Sequence, residues 1–125
     1  MTSTMTPLLF ALVALAGGAG AGLRWIADAV LSRVLPGGFP WAILLVNVTG
    51  SLALGVLTGA SLDHVWLAVL GTGLLGGYTT FSTVAVDSEL LAREGRRGAA
   101  GANAIGTLIC CTAAAMAGIG VGVAA

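Results

Sequence analysis

The chain has 125 residues, 58% hydrophobic and only 8% charged, with five arginines, no lysine and five acids for a formal net charge of zero. A soluble domain carries about 25% charged residues, so this composition excludes a water-soluble surface and describes a membrane protein. No basic patch is present for nucleic acid, and neither a nucleophile–base set nor a zinc-ligand spacing can be assembled, so the sequence does not read as an enzyme.

Four hydrophobic segments follow one another to the C-terminus, each near or above the ~20 residues that cross a hydrocarbon core. The first runs from about Leu8 to Val30. Its Gly18 and Gly22 form a GxxxG pair, which predicts close packing against a neighbouring helix. Arg24 follows, too deep for an ordinary flanking charge, with Asp28 four residues on along the same face. Two readings stand: a structural ion pair, or an arginine lining an aqueous vestibule where it attracts anions. Pro36-Gly37-Gly38-Phe39-Pro40 closes this segment.

The second segment, from about Trp41 to Ala60, places Asn47, Ser51, Gly55 and Gly59 four residues apart on one stripe. The glycines read as packing positions. An amide in hydrocarbon needs partners, and Asn47 has two candidates, a neighbouring helix or an anion. The connection Ser61-Leu62-Asp63-His64 holds the only histidine, which reads as a solvated loop residue.

The third segment, from about Val65 to Leu91, divides into half-helices Val65–Leu75 and Phe81–Leu91 around a break at Gly76 to Thr80. At 1.5 Å per residue each half is roughly 16 Å long, too short to cross alone. The run Gly76-Gly77-Tyr78-Thr79-Thr80-Phe81-Ser82-Thr83 predicts the break, because paired glycines loosen a helix and hydroxyls compete for backbone groups. Backbone leaves a helix inside a bilayer only where protein buries it or it lines a polar cavity. The first half then presents free carbonyls, which suit a cation, and the second presents free N–H groups, which suit an anion. With no carboxylate beside the break, a cation there would be held by neutral oxygens, as fits a weakly hydrated monovalent ion. The run therefore marks an ion site.

The fourth segment, from about Ala99 to Ala124, repeats the four-residue spacing with Asn103, Thr107 and Cys111. This stripe reads either as a donor track along a pore or as a polar helix–helix seam. Cys110 and Cys111 are neighbours, pointing about 100° apart on a helix, so they make no ordinary disulfide with each other.

The short connections predict antiparallel neighbours in a single domain, residues 1–125. A chain this small has little room for a pathway of its own, so assembly is expected. Arg33, Arg93, Arg96 and Arg97 fall in the first and third loops, while the side carrying both termini has none. The positive-inside rule then places both termini outside the cytoplasm in one fixed orientation. An oppositely inserted partner would be a second, related chain.

The stretches Gly17-Gly18-Ala19-Gly20-Ala21-Gly22-Leu23-Arg24-Trp25, Asn47-Val48-Thr49-Gly50-Ser51 and Gly76 to Thr83 together resemble the small bacterial fluoride channels of the Fluc, or CrcB, family, over essentially the whole chain. The last stretch is the specific one. The resemblance implies an all-α fold of four transmembrane helices, the third broken at its centre, in an antiparallel dual-topology dimer. It implies passive, fluoride-specific export across the bacterial plasma membrane, which lowers cytoplasmic fluoride. It further implies one structural, non-transported sodium ion held by the backbone carbonyls of Gly76 and Thr79 in both subunits. The fluoride pathway would use Asn47, the ring edge of Phe81, Thr83, the track of Thr107 and Cys111, and Arg24 in the vestibule. The chain departs from the family pattern at Val84, where a second Phe is usual, and at Ala42-Ile43, where Gly-Thr is usual. Asn103 stands where a Tyr often tops the last-helix track. The partners implied are fluoride, lipid, and either an identical or a related subunit. Two other readings are a small multidrug antiporter, which needs a membrane-embedded carboxylate, and a non-conducting partner subunit of a heterodimeric channel.

Overall fold

A computed structural model describes residues 5–125, so residues 1–4 of the expected domain lie outside the described part. All regular structure in the described residues is helical. The first helix, α1 (Pro7–Val34), opens on Thr6, whose Oγ1 accepts from the Leu9 N–H at 3.1 Å, with Pro7 in the first turn where its missing N–H costs nothing. It stops as Leu35 turns extended ahead of Pro36. Helix α2 (Trp41–Gly59) follows. Helix α3 (residues 64–78) comprises a first turn His64–Trp66, a π-helical stretch Leu67–Leu75 and a last turn Gly76–Tyr78. Helix α4 (Phe81–Arg93) ends through Gly95 at φ +79°, the left-handed conformation that closes many helices. Helix α5 (Arg97–Ala124) completes the chain. Four spans of 28, 19, 30 and 28 residues are long and apolar enough to cross a membrane, with α3 and α4 forming the third together.

Helix α2 lies along α5, and α1 along α3, while α4 packs on α5. Glycine makes both main contacts. A Cβ on Gly55 or Gly59 would stand 2.2 or 2.3 Å from the carbonyl oxygen of Ala115 or Ile119, and one on Gly118 or Gly122 would stand 2.3 Å from that of Leu52 or Val56. The packing role expected for the glycines of α2 therefore holds. On α1 the contact falls on a different face from the one expected. Nothing lies within 4 Å of a Cβ on Gly18 or Gly22, whereas one on Gly20 would meet the Leu74 oxygen at 1.9 Å, and one on Gly77 the Gly17 oxygen at 2.0 Å. The GxxxG pair thus points outward, and Gly17 and Gly20 take the neighbour. The core is small, with Val46 its one fully buried large side chain among the described residues. Phe10, Leu15, Trp25, Leu108 and Met116 face outward, as suits a surface covered by lipid.

The break in the third span is narrower than its sequence suggests. Gly76, Gly77 and Tyr78 stay helical, and only Thr79 (φ −79°, ψ 158°) and Thr80 (φ −149°, ψ 122°) are extended. Gly77 does not loosen the helix; its missing side chain admits α1. The π-helical turns of Leu67–Leu75 had no sequence signal. The first and third loops meet at one end of the bundle, where the Arg96 guanidinium donates to the Gly38 carbonyl. His64 is exposed, 3.2 Å from Asp63.

Candidate functional site

The break is held from both sides. Thr80 caps α4, its Oγ1 accepting from the Thr83 N–H at 3.2 Å and donating to Thr83 Oγ1 at 3.1 Å. From α2, the Asn47 amide takes both backbone groups of Thr80. Its Oδ1 accepts from the Thr80 N–H at 2.8 Å and its Nδ2 donates to the Thr80 carbonyl at 3.0 Å. Asn47 and Thr80 are 5% and 8% exposed, so each would carry an unsatisfied polar group without the other. Asn47 thus has a neighbouring helix as partner, and one N–H of its amide remains to donate elsewhere.

The first half of the span ends with free carbonyls, as its chemistry requires. The N–H four residues after Gly76 belongs to Thr80 and goes to Asn47, so the Gly76 carbonyl has lost its helical partner. The Thr79 carbonyl accepts instead from Arg24 Nη1, at 3.1 Å. Arg24 makes no ion pair among the described residues. The expected pairing with Asp28 is absent, and Asp28 Oδ1 accepts from Ser32 at 3.3 Å. A helical i, i+4 pair was available, but the break gives Arg24 an acceptor across the bundle.

Asn47, Gly76, Thr79, Phe81, Thr107 and Cys111 come together around one open cavity of about 590 Å³, which Val84 also lines. Phe81 is 85% exposed, so the cavity runs out to the subunit surface. Thr107 Oγ1 is buried without a hydrogen-bond partner among the described residues. A cavity of this kind offers scattered neutral donors and a ring edge, whose positive rim faces anions favourably. Thr83 and Arg24 are not in its wall. Thr83 lines a second cavity of about 300 Å³ with Asp28 and Asp87, at the end of the first loop. The stripe of α5 divides as well. Asn103, 2% exposed, donates to Ser88 Oγ at 3.0 Å as part of a seam with α4, leaving Thr107 and Cys111 to the cavity. Among the described residues no cluster of His, Cys, Asp or Glu could hold a metal ion.

Sequence reasoning gave no role to Thr80 or Gly50. A threonine just ahead of an apolar helical run is an N-cap signal. The close fit of Gly50, where a Cβ would lie 2.4 Å from Thr79 Cγ2, has no signal along the chain.

A multi-pass membrane protein with a broken span, orphan carbonyls at the break and a donor-lined cavity beside it has the build of proteins that handle ions within the bilayer. The CrcB-like protein, Camphor Resistance (CrcB), family matches residues 11–119, and the chain belongs to that family. A protein of Leifsonia xyli named fluoride-specific ion channel FluC 1 is 42% identical over 122 residues, covering 94% of this chain and 89% of that one. The protein of the same name in Rubrobacter xylanophilus is 44% identical, covering 83% and 85%. A fluoride-specific ion channel FluC of Rhodospirillum centenum is 46% identical, covering 72% and 75%. Membership sets the chain among channels and not enzymes. It also decides against the antiporter, which the missing Arg24–Asp28 pair would otherwise have left open.

Proposed function

We propose that the chain is a subunit of a fluoride-specific channel of the bacterial plasma membrane, letting fluoride leave passively down its gradient. The observation that carries this reading is the cavity in which Asn47, Phe81, Thr107 and Cys111 converge with no charged side chain in its wall. A small, strongly hydrated anion gives up water only to donors spaced closely enough to replace it. The remaining Asn47 N–H, the Thr107 hydroxyl and the Phe81 edge are donors of that kind, and the unpartnered Thr107 Oγ1 is a group in need of a ligand. Thr83 and Arg24, outside this wall, would act at the approaches, Arg24 by attracting anions. The relatives' printed names agree with fluoride as the ion.

The working form is an antiparallel dimer. Its support is the position of Phe81, exposed where an internal pore would bury it, so that a second subunit completes the wall. The four arginines in or at the helix ends beside the first and third loops, which meet at one end, favour both termini outside the cytoplasm. The opposite subunit is then a related chain of reversed bias, which would also bring the Phe absent at Val84. A C-terminal reporter fusion on the chain expressed alone tests this; an even mixture of orientations restores the homodimer.

The carbonyls of Gly76 and Thr79 fit a structural sodium ion, being neutral oxygens, one without its helical partner and both belonging to residues that line the cavity. They supply half a coordination shell, the other half falling to the partner. Such an ion would contribute fixed positive charge at the centre of the assembly and would not travel.

Fluoride and chloride efflux from vesicles reconstituted with the protein tests the function. Fluoride is expected to leave and chloride to stay; equal rates refute the proposal. Flux that appears only on adding a related chain would make this one the non-conducting partner.

A further inference from the structure

The Thr79 carbonyl is claimed twice: by Arg24, which donates to it at 3.1 Å, and by the cation proposed at the break. A carbonyl has two lone pairs, so both can be served at once, but the two positive charges then sit only a few ångströms apart. No acid relieves Arg24: the described ion pairs are Asp63 with His64 and Glu89 with Arg93, and Asp28 is bonded to Ser32. An unpaired arginine in a membrane-spanning segment is costly, and such residues are generally functional.

Arg24 does not hold the break in place by itself. The Thr79 N–H and Oγ1 both donate to the Leu75 carbonyl, at 2.9 Å each, and Asn47 fixes the next residue through two bonds. The orientation of the Thr79 carbonyl is therefore set without the guanidinium. What Arg24 adds is charge.

We propose that Arg24 is a built-in competitor of the cation at the helix break, making it bind less tightly than the carbonyls alone would by sharing the Thr79 carbonyl with it. The inference rests on the sodium reading above. At an effective dielectric between ~20 and 80, repulsion between unit charges about 4–5 Å apart changes affinity by between about fivefold and a few hundredfold. Removing the charge should therefore tighten sodium binding, the opposite of what loss of a positioning residue would do.

The test is thermal unfolding of the purified protein in detergent, titrated with sodium chloride against N-methylglucamine chloride at constant ionic strength. This reads cation binding without reference to flux. Arg24→Gln is expected to reach half its sodium stabilisation at about tenfold lower sodium than wild type. Arg24→Lys, which keeps the charge, should stay near wild type. If the Gln variant does not fold, Arg24→Met retains the stem and replaces it. An unchanged or weakened sodium response in the neutral variant overturns the competitor role while leaving the sodium site standing. A Lys variant as tight as Gln also overturns it, because the charge is then irrelevant. If wild type gains no stability from sodium, the sodium reading fails and this inference with it.

Discussion

Adding one methyl group at Gly20 should separate α1 from α3 and disturb the break beyond them. A Cβ built there lies 1.9 Å from the Leu74 carbonyl oxygen and 2.9 Å from the Tyr78 nitrogen, against 3.4 Å where ordinary contact begins. Both obstacles are backbone, so no rotamer change relieves them, and α1 must retreat by about 1.5 Å along that line. Overpacking of this severity costs about 1–3 kcal/mol, or more where the backbone cannot yield. Arg24 stands one turn further along the same face of α1, so the retreat also draws it away from the Thr79 carbonyl. Gly20→Ala should thus melt well below wild type and conduct poorly. Gly18→Ala, where a Cβ meets nothing within 4 Å, should unfold with wild-type stability to within about 0.5 kcal/mol. Unfolding of the two variants in one detergent, with fluoride efflux from vesicles alongside, gives the comparison. A Gly20→Ala protein that melts with wild type would refute the close packing of α1 on α3, as would equal losses in both.

Asn47→Asp keeps an acceptor for the Thr80 N–H but turns a carboxylate oxygen toward the Thr80 carbonyl, in a place 5% exposed. It should abolish fluoride efflux and cost several kcal/mol as an unpaired buried charge; undiminished flux would remove Asn47 from the pathway. Thr107→Val should behave in the opposite way. Deleting a buried hydroxyl without a partner should leave stability unchanged or raise it, while fluoride efflux falls. A marked loss of stability in this variant would show that the hydroxyl has a structural partner.

The four spans and the interruption of the third were legible because membrane length and a glycine–hydroxyl run are local signals. So was the shared face of Thr107 and Cys111, since polar groups four residues apart on an apolar helix lie on one side, whereas the grouping of Asn47 with them came only with the family resemblance. Helix register decided the rest. Gly18 and Gly20 look alike in the sequence, and only the direction of α3 selects Gly20. Arg24 had a plausible partner four residues away in Asp28, yet it bonds a carbonyl 55 residues distant that is free only because Thr79 leaves the helix. Asn103 matched the stripe of Thr107 but was taken by Ser88, once α4 lay against α5. A free carbonyl and a neighbouring hydroxyl are both products of the fold and leave no mark in the residues that use them.

Cohesion inside the subunit comes from main chain on main chain. Gly20, Gly55, Gly59, Gly77, Gly118 and Gly122 each set their own backbone against another helix's carbonyl. Such a joint cannot be repaired by a compensating side chain, because neither party contributes one. The tolerance of this chain to mutation should accordingly be divided in two. The six glycine joints should reject nearly every replacement, including alanine, and should offer no second-site suppressors on the facing helix. The outward apolar positions, among them Leu15, Trp25 and Leu108, should exchange freely for other lipid-soluble residues where no partner subunit covers them. A library scored for fluoride resistance would therefore record the architecture of one subunit as a pattern of immovable glycines.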